Sequence, residues 1–130
     1  MKPRLAFAAI ALLACSGAGK PAVADRDWAL VALGDQSDPV GTGGKPLTLH
    51  LDSASSRASG FAGCNQFSGS YQLGGGKLSF GPTMSTKMFC ESSQQVEDAY
   101  LEALSGVSSW ELSEGILTLR GDGGSVLRFR

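Results

Sequence analysis

The chain is poor in the groups that most recognisable chemistry needs. Its 130 residues include one histidine and three cysteines, with no Cys-x-x-Cys spacing. With that spacing absent and a single histidine, a four-ligand zinc site is not expected from Cys and His. No serine lies in a Gly-x-Ser-x-Gly elbow. The longest apolar run, Leu5 to Ala14, falls well short of the ~20 residues that span a bilayer as a helix. Lys and Arg number 11 against 12 Asp and Glu and form no cluster. A nucleic-acid partner is therefore not expected. There is no internal repeat and no collagen-like or solenoid period.

What the chain does have is glycine. Eighteen are spread through the sequence, which suggests short strands joined by many tight turns. One domain is expected from the length, and a core of that size benefits from a covalent staple.

Residues 1–14 read as a secretory signal peptide, with Lys2 and Arg4 before the apolar run. Losing that segment takes the formal net charge from −1 to −3. Two cleavage patterns compete. Leu12-Leu13-Ala14-Cys15 resembles a bacterial lipobox, which would make Cys15 the lipidated N-terminus. Ala22-Val23-Ala24 before Asp25 fits an ordinary signal peptidase site and would release a soluble periplasmic protein. The lipobox is preferred because a cysteine directly ending an apolar run is otherwise hard to explain. Residues 15–27 would then be the lipidated N-terminus and tether, and 28–130 the folded domain. Ser16 after the cysteine resembles the pattern of lipoproteins sorted to the outer membrane, facing the periplasm.

The folded part opens with an apolar strand, Trp28–Leu33, followed by a loop from Gly34 to Pro46. Leu47 to Leu51 alternates, with His50 and Thr48 turned outward. Arg57 to Gly63 reads as a strand bulged or bent at its glycines. Phe67, Gly69, Tyr71 and Leu73 mark a half-buried strand, Gly74-Gly75-Gly76 a hairpin, and Lys77–Phe80 the return. Pro82 punctuates before a short extended piece, Thr83–Met88. Ser92-x-x-Gln95 reads as a capping box. Val96, Ala99, Tyr100, Ala103 and Leu104 form the apolar stripe of one helix, with Glu97, Asp98 and Glu102 opposite and Gly106 as the stop. Three strands close the chain around Trp110/Leu112, Leu117/Leu119 and Leu127/Phe129, the last with Arg128 and Arg130 facing solvent. The expected class is α+β and β-rich. About seven short strands form a curved antiparallel sheet or small open barrel packed with one helix.

Gly60-Phe61-Ala62-Gly63-Cys64-Asn65, Phe67-Ser68-Gly69-Ser70-Tyr71, Leu78-Ser79-Phe80-Gly81-Pro82, Thr86-Lys87-Met88 and Cys90 together resemble the META domain, also called the HslJ-like heat-shock family. Trp28, Glu97–Leu104, Leu117-Thr118-Leu119 and Leu127-Arg128-Phe129 continue the resemblance over nearly the whole mature chain. It implies a small β-rich domain with one helix in a bacterial envelope protein, often a lipoprotein, associated with stress response. It also implies likeness to cracked-barrel pilotins. No catalytic residue comes with the resemblance.

Cys64 and Cys90 are read as a disulfide, since an exported chain meets an oxidising compartment and these two remain once Cys15 is accounted for. Closing a loop of that length stabilises by ~3.5 kcal/mol on the chain-entropy model. A hydrolase built on His50, Asp52 and a serine or Cys64 lacks a held base. Gly74–Lys77 and Gly121–Gly124 are turns, not phosphate or calcium loops. Asn65 is expected to bond backbone where strands diverge. It and Tyr71 are the polar residues for which structural and binding roles stay open. The expectation is a monomeric, non-catalytic envelope lipoprotein without metal or cofactor. It supports or binds another envelope component. The alternative is a carrier of a small apolar ligand, or pilotin-like chaperone, with the ligand inside a cracked barrel.

Overall fold

The computed structural model describes residues 23–130. The expected signal peptide, 1–14, and the expected lipidation site, Cys15, lie outside the described residues. Nine strands and one helix follow in order: β1 (Asp27–Leu33), β2 (Gln36–Ser37), β3 (Thr48–Asp52), β4 (Arg57–Phe61), β5 (Gln66–Leu73), β6 (Leu78–Ser85), α1 (Gln94–Ser105), β7 (Val107–Ser113), β8 (Ile116–Gly121) and β9 (Val126–Phe129). Eight of them form one path, β6-β5-β4-β3-β1-β9-β8-β7, and β2 pairs with β1 alone. Every pairing is antiparallel.

The alternation of the sequence sets which face is inside. Leu47, Leu49 and Leu51 are fully buried, as are Leu117, Leu119, Leu127 and Phe129. Their neighbours Thr48, His50, Thr118 and Arg128 point to the other face. Register shifts at Leu30/Ala32, Gly69/Tyr71 and Val107/Ser109 increase the local twist. The sheet therefore curls until its edges meet, but only at one point. Lys77 and Ser109 form an isolated bridge, and Trp110 N–H donates to the Gly76 carbonyl at 3.1 Å. Of the curved sheet or small open barrel expected, the result is a curled antiparallel half-barrel packed with one helix.

Helix α1 connects the two edge strands and packs Tyr100 and Leu104 into the core. The Tyr100 ring meets Phe67 edge-on at 5.8 Å and Phe129 at 6.3 Å. Its hydroxyl donates to the Thr48 carbonyl at 2.8 Å, and burial holds that hydroxyl well above the ordinary tyrosine range. Trp28, Tyr100, Phe129 and eight leucines fill the concave side as its largest fully buried side chains, apart from Leu30 at 2 % exposure. The interior that a ligand carrier would keep open is occupied by these side chains.

Several expectations need correction. The eight-stranded path is close to the seven or so strands expected, but the loop 34–46 hides the short β2 and a 3-10 turn at Thr42–Gly44. β4 keeps regular register with β5 and carries no bulge. The irregularity falls instead opposite Pro82, so β6 continues through that proline to Ser85. Pro82 is tolerated because β6 is an edge strand and the register skips it. The capping box does not form: Ser93 is the N-cap, without a side-chain cap bond. Ala99 is exposed and Glu97 is buried. Packing also begins earlier than residue 28. Val23 is fully buried, and Asp25 N–H donates to the Leu51 carbonyl.

Gly60 shows how tightly this sheet is drawn. A Cβ there would stand 2.2 Å from the Thr48 carbonyl oxygen and 2.9 Å from the Phe67 ring, whereas one on Gly123 would meet nothing within 4 Å. Gly60→Ala is expected to cost about 2 kcal/mol, a fall in Tm of roughly 10 °C, with Gly123→Ala close to neutral. Equal melting temperatures for the two variants would show that the strands yield at this point.

Candidate functional site

Three segments converge where β4 ends: the corner Ala62–Asn65, the strap Thr86–Cys90 that follows β6, and the first turns of α1. The Cys64–Cys90 disulfide joins the first two. Glu97, only 3 % exposed, reaches from the helix into the corner. Its Oε1 accepts the N–H groups of Cys64 at 3.1 Å and Asn65 at 2.6 Å. Its Oε2 accepts the Asn65 Nδ2 at 2.8 Å.

Asn65 is equally enclosed, at 3 % exposure. Its Nδ2 also donates to the Met88 carbonyl at 3.0 Å. Its Oδ1 accepts the Thr86 hydroxyl and the Met88 N–H, both at 2.9 Å. Both donors and both acceptor positions of the amide are thus occupied within the chain. The geometry assigns Asn65 a structural role, since no group of it is left to hold a ligand.

The clamp fixes a strap with an unusual outer surface. Met88 and Phe89 are 60 % and 76 % exposed, and Met84, just before them on β6, is 67 % exposed. Between strap and helix lies a hollow of about 330 Å³ bordered by Lys87, Met88, Phe89, Gln94, Asp98 and Leu101. Gln94 Nε2 donates to Asp98 at 2.9 Å, and its Oε1 is buried there without a partner.

The remaining predicted residues lie elsewhere. Tyr71 is at the far end of β5, its ring buried, beside a second hollow of about 920 Å³. Burial first, then the charges of Asp25 and Asp52, raise its pKa. His50 faces the surface as expected, but its Nδ1 is 2.9 Å from Asp27, not paired with Asp52. Cys64 is committed to the disulfide, so these groups form no nucleophile-base pair. Among the described residues no group of three or more His, Cys, Asp and Glu is placed to hold a metal.

The sequence reading missed Glu97, Gln94 and the exposed apolar residues of the strap. One signal was present for Glu97. It precedes Tyr100 by three residues and Leu104 by seven, which places it on the buried stripe. Its charge argued for solvent, and the partners that satisfy it come from 32 and 33 residues away.

A family model described as META domain matches residues 21–130. The NMR structure of a protein from Burkholderia xenovorans is 36 % identical with a TM-score of 0.65, over 82 % of this chain and 81 % of that one. A second NMR structure is 24 % identical with a TM-score of 0.60, over 78 % and 86 % of the two chains. A crystal structure of a DUF4847 family protein from Bacteroides vulgatus shares the fold at 15 % identity, with a TM-score of 0.57 over 82 % and 92 %. None of the curated proteins matches the chain.

Glu97→Gln preserves shape but turns a donor onto the Asn65 amide, which its other bonds prevent from flipping. A loss of about 2 kcal/mol is expected, measured by urea unfolding. Glu97→Ala strands three donors and should cost roughly 3–5 kcal/mol, because the buried partners lose their acceptor together. Equal, small losses from both variants would mean that water replaces the carboxylate and that the clamp is not closed in solution.

Proposed function

The chain is a member of the META domain family, and from that premise we propose a non-catalytic protein of the bacterial cell envelope, held by lipid on Cys15, that docks another envelope protein through its strap. The META domain family is not a known enzyme family. The observation that carries docking is the exposure of Met88 and Phe89 on a segment that the disulfide and the Asn65–Glu97 clamp hold in place, next to the exposed Met84 of β6. Large apolar side chains kept rigid in water mark an interaction site, because little ordering entropy is lost when they are covered.

Val23 supports the anchor. It is fully buried, and its carbonyl accepts the Trp28 indole N–H at 2.8 Å. Cleavage after Ala24 would discard it. The loss is about 1.5–3 kcal/mol of side-chain burial, plus about 1–3 kcal/mol for a buried donor left alone. Processing at Cys15 keeps both contacts. The start of the family match at residue 21 points the same way. By the residue after Cys15, the lipoprotein would be retained at the outer membrane and face the periplasm, in a stress-related setting.

A photo-crosslinking residue at position 89, in the native envelope, is expected to capture one discrete protein. The same residue at 128, on the exposed side of β9, should capture none. The double variant Met88→Ser, Phe89→Ser, read from a probe at position 84, should reduce capture about ten-fold with Tm held within about 2 °C. Equal capture from 89 and 128 would remove the docking site. Intact mass tests the anchor separately. A chain beginning at acylated Cys15 and lighter by two hydrogens fits it, and one beginning at Asp25 overturns it.

A further inference from the structure

The second hollow, at the end of the barrel opposite the strap, has a chemistry of its own. Its volume of about 920 Å³ is within the roughly 300–1,000 Å³ of small-ligand sites. Trp110, Tyr71 and Leu73 supply apolar surface, while Asp25, Gln72 and Ser56 supply polar groups. None of its lining residues is Lys or Arg.

These groups are held before any ligand arrives. Trp110 closes the barrel seam with its N–H on Gly76, and its indole Nε1 donates to the Gly74 carbonyl at 3.0 Å. The first bond holds the backbone and the second orients the ring, and the residue remains partly exposed. Asp25 accepts the hydroxyl and the backbone N–H of Ser53, which hold its carboxyl below the ordinary range. It stays ionised while keeping lone pairs for further donors. The hydroxyl of Tyr71 stays protonated, because burial and the neighbouring carboxylates oppose its charge. The Gly74 and Gly75 turn leaves the wall open, since a Cβ at either would meet nothing within 4 Å.

We propose that this groove binds a short uncharged oligosaccharide. A sugar ring presents an apolar C–H face and a rim of hydroxyls. The groove presents a fixed aromatic face beside a carboxylate, an amide and hydroxyls. The carboxylate and the lack of any cation in the lining exclude phosphorylated and acidic glycans by charge. An apolar chain would take Asp25 out of water and offer its remaining lone pairs no donor beyond Ser53. The inference stands apart from docking by the strap, which uses the other end of the barrel.

The chain's two tryptophans make the test direct, because Trp28 is 1 % exposed and Trp110 lines the groove. The 15N-labelled protein is titrated with chitotriose and maltotriose, and with the cationic trimer of glucosamine. The expected result is a saturable shift of the Trp110 indole N–H and the Gln72 amide with an uncharged trisaccharide, while Trp28 stays still. The expected Kd is about 1 mM. Gly75→Phe, which places a ring in the open wall, should weaken binding at least about ten-fold. Trp110→Leu should do the same, provided the Trp28 resonance reports a folded chain. The proposal is overturned by no Trp110 shift at ~10 mM of either uncharged sugar, by a response to the cationic trimer alone, or by undiminished binding in Gly75→Phe.

Discussion

The Glu97 carboxylate is the contact on which the rest of this domain depends. A buried charge survives only if its hydrogen-bonding capacity is met, because desolvating it costs several kcal/mol. Here the charge is met by N–H groups, not by a cation: two from the backbone corner at Cys64 and Asn65, and one from the Asn65 side chain. The donors belong to the link between β4 and β5, and the acceptor to the helix. Asn65 then carries the constraint onward to Thr86 and Met88. One carboxylate therefore fixes the position of the helix on the sheet and the course of the strap. The disulfide closes the same corner covalently. The two devices differ in kind. The bond limits the unfolded chain, while the clamp selects one arrangement of the folded one.

The need for such a lock follows from the incomplete barrel. A sheet that closed fully would hold its own register through backbone bonds all the way round. This one meets edge to edge only at Lys77–Ser109 and Trp110–Gly76. Along the rest of the gap the helix between β6 and β7 must supply the contacts. It does so with Tyr100, whose ring packs on Phe67 and Phe129 and whose hydroxyl is anchored on Thr48. Pro82 in β6 limits edge pairing with another chain. The fold is thus held at the seam by Trp110 and at the helix start by Glu97.

Much of this architecture could be read from residue order. Period-two alternation located the strands that carry Leu47–Leu51, Leu117/Leu119 and Leu127/Phe129, because a strand with one buried face has to alternate. The change of period after Cys90 located the helix. What alternation does not encode is who satisfies whom across 30 residues. Glu97 was assigned to solvent on its charge, and only the converging donors at Cys64 and Asn65 make its burial affordable. The strand through Pro82 was divided for a similar reason. A proline is a break in a central strand but not at an edge, and edge position is a property of the closed topology. The choice between structural and binding roles for Asn65 also needed the network, since four occupied hydrogen-bonding positions cannot be counted from sequence.

The topology also separates the two surfaces that remain available for partners. β5 runs from the clamped corner to the groove, and its eight residues set the two about 25 Å apart. The described chain enters at the groove end, where Val23 is buried and Asp25 joins Leu51 and Ser53. Cys15 precedes Val23 by eight residues, a reach of at most about 28 Å at full extension. A lipid at Cys15 would therefore keep the groove within that distance of the membrane and direct the strap with Met88 and Phe89 toward the compartment. Burying those side chains against the bilayer would require the domain to turn end over end, with the tether close to its full extension. A protein partner reached from the aqueous side would cover the same apolar surface without that rotation, in keeping with the docking role proposed for the strap.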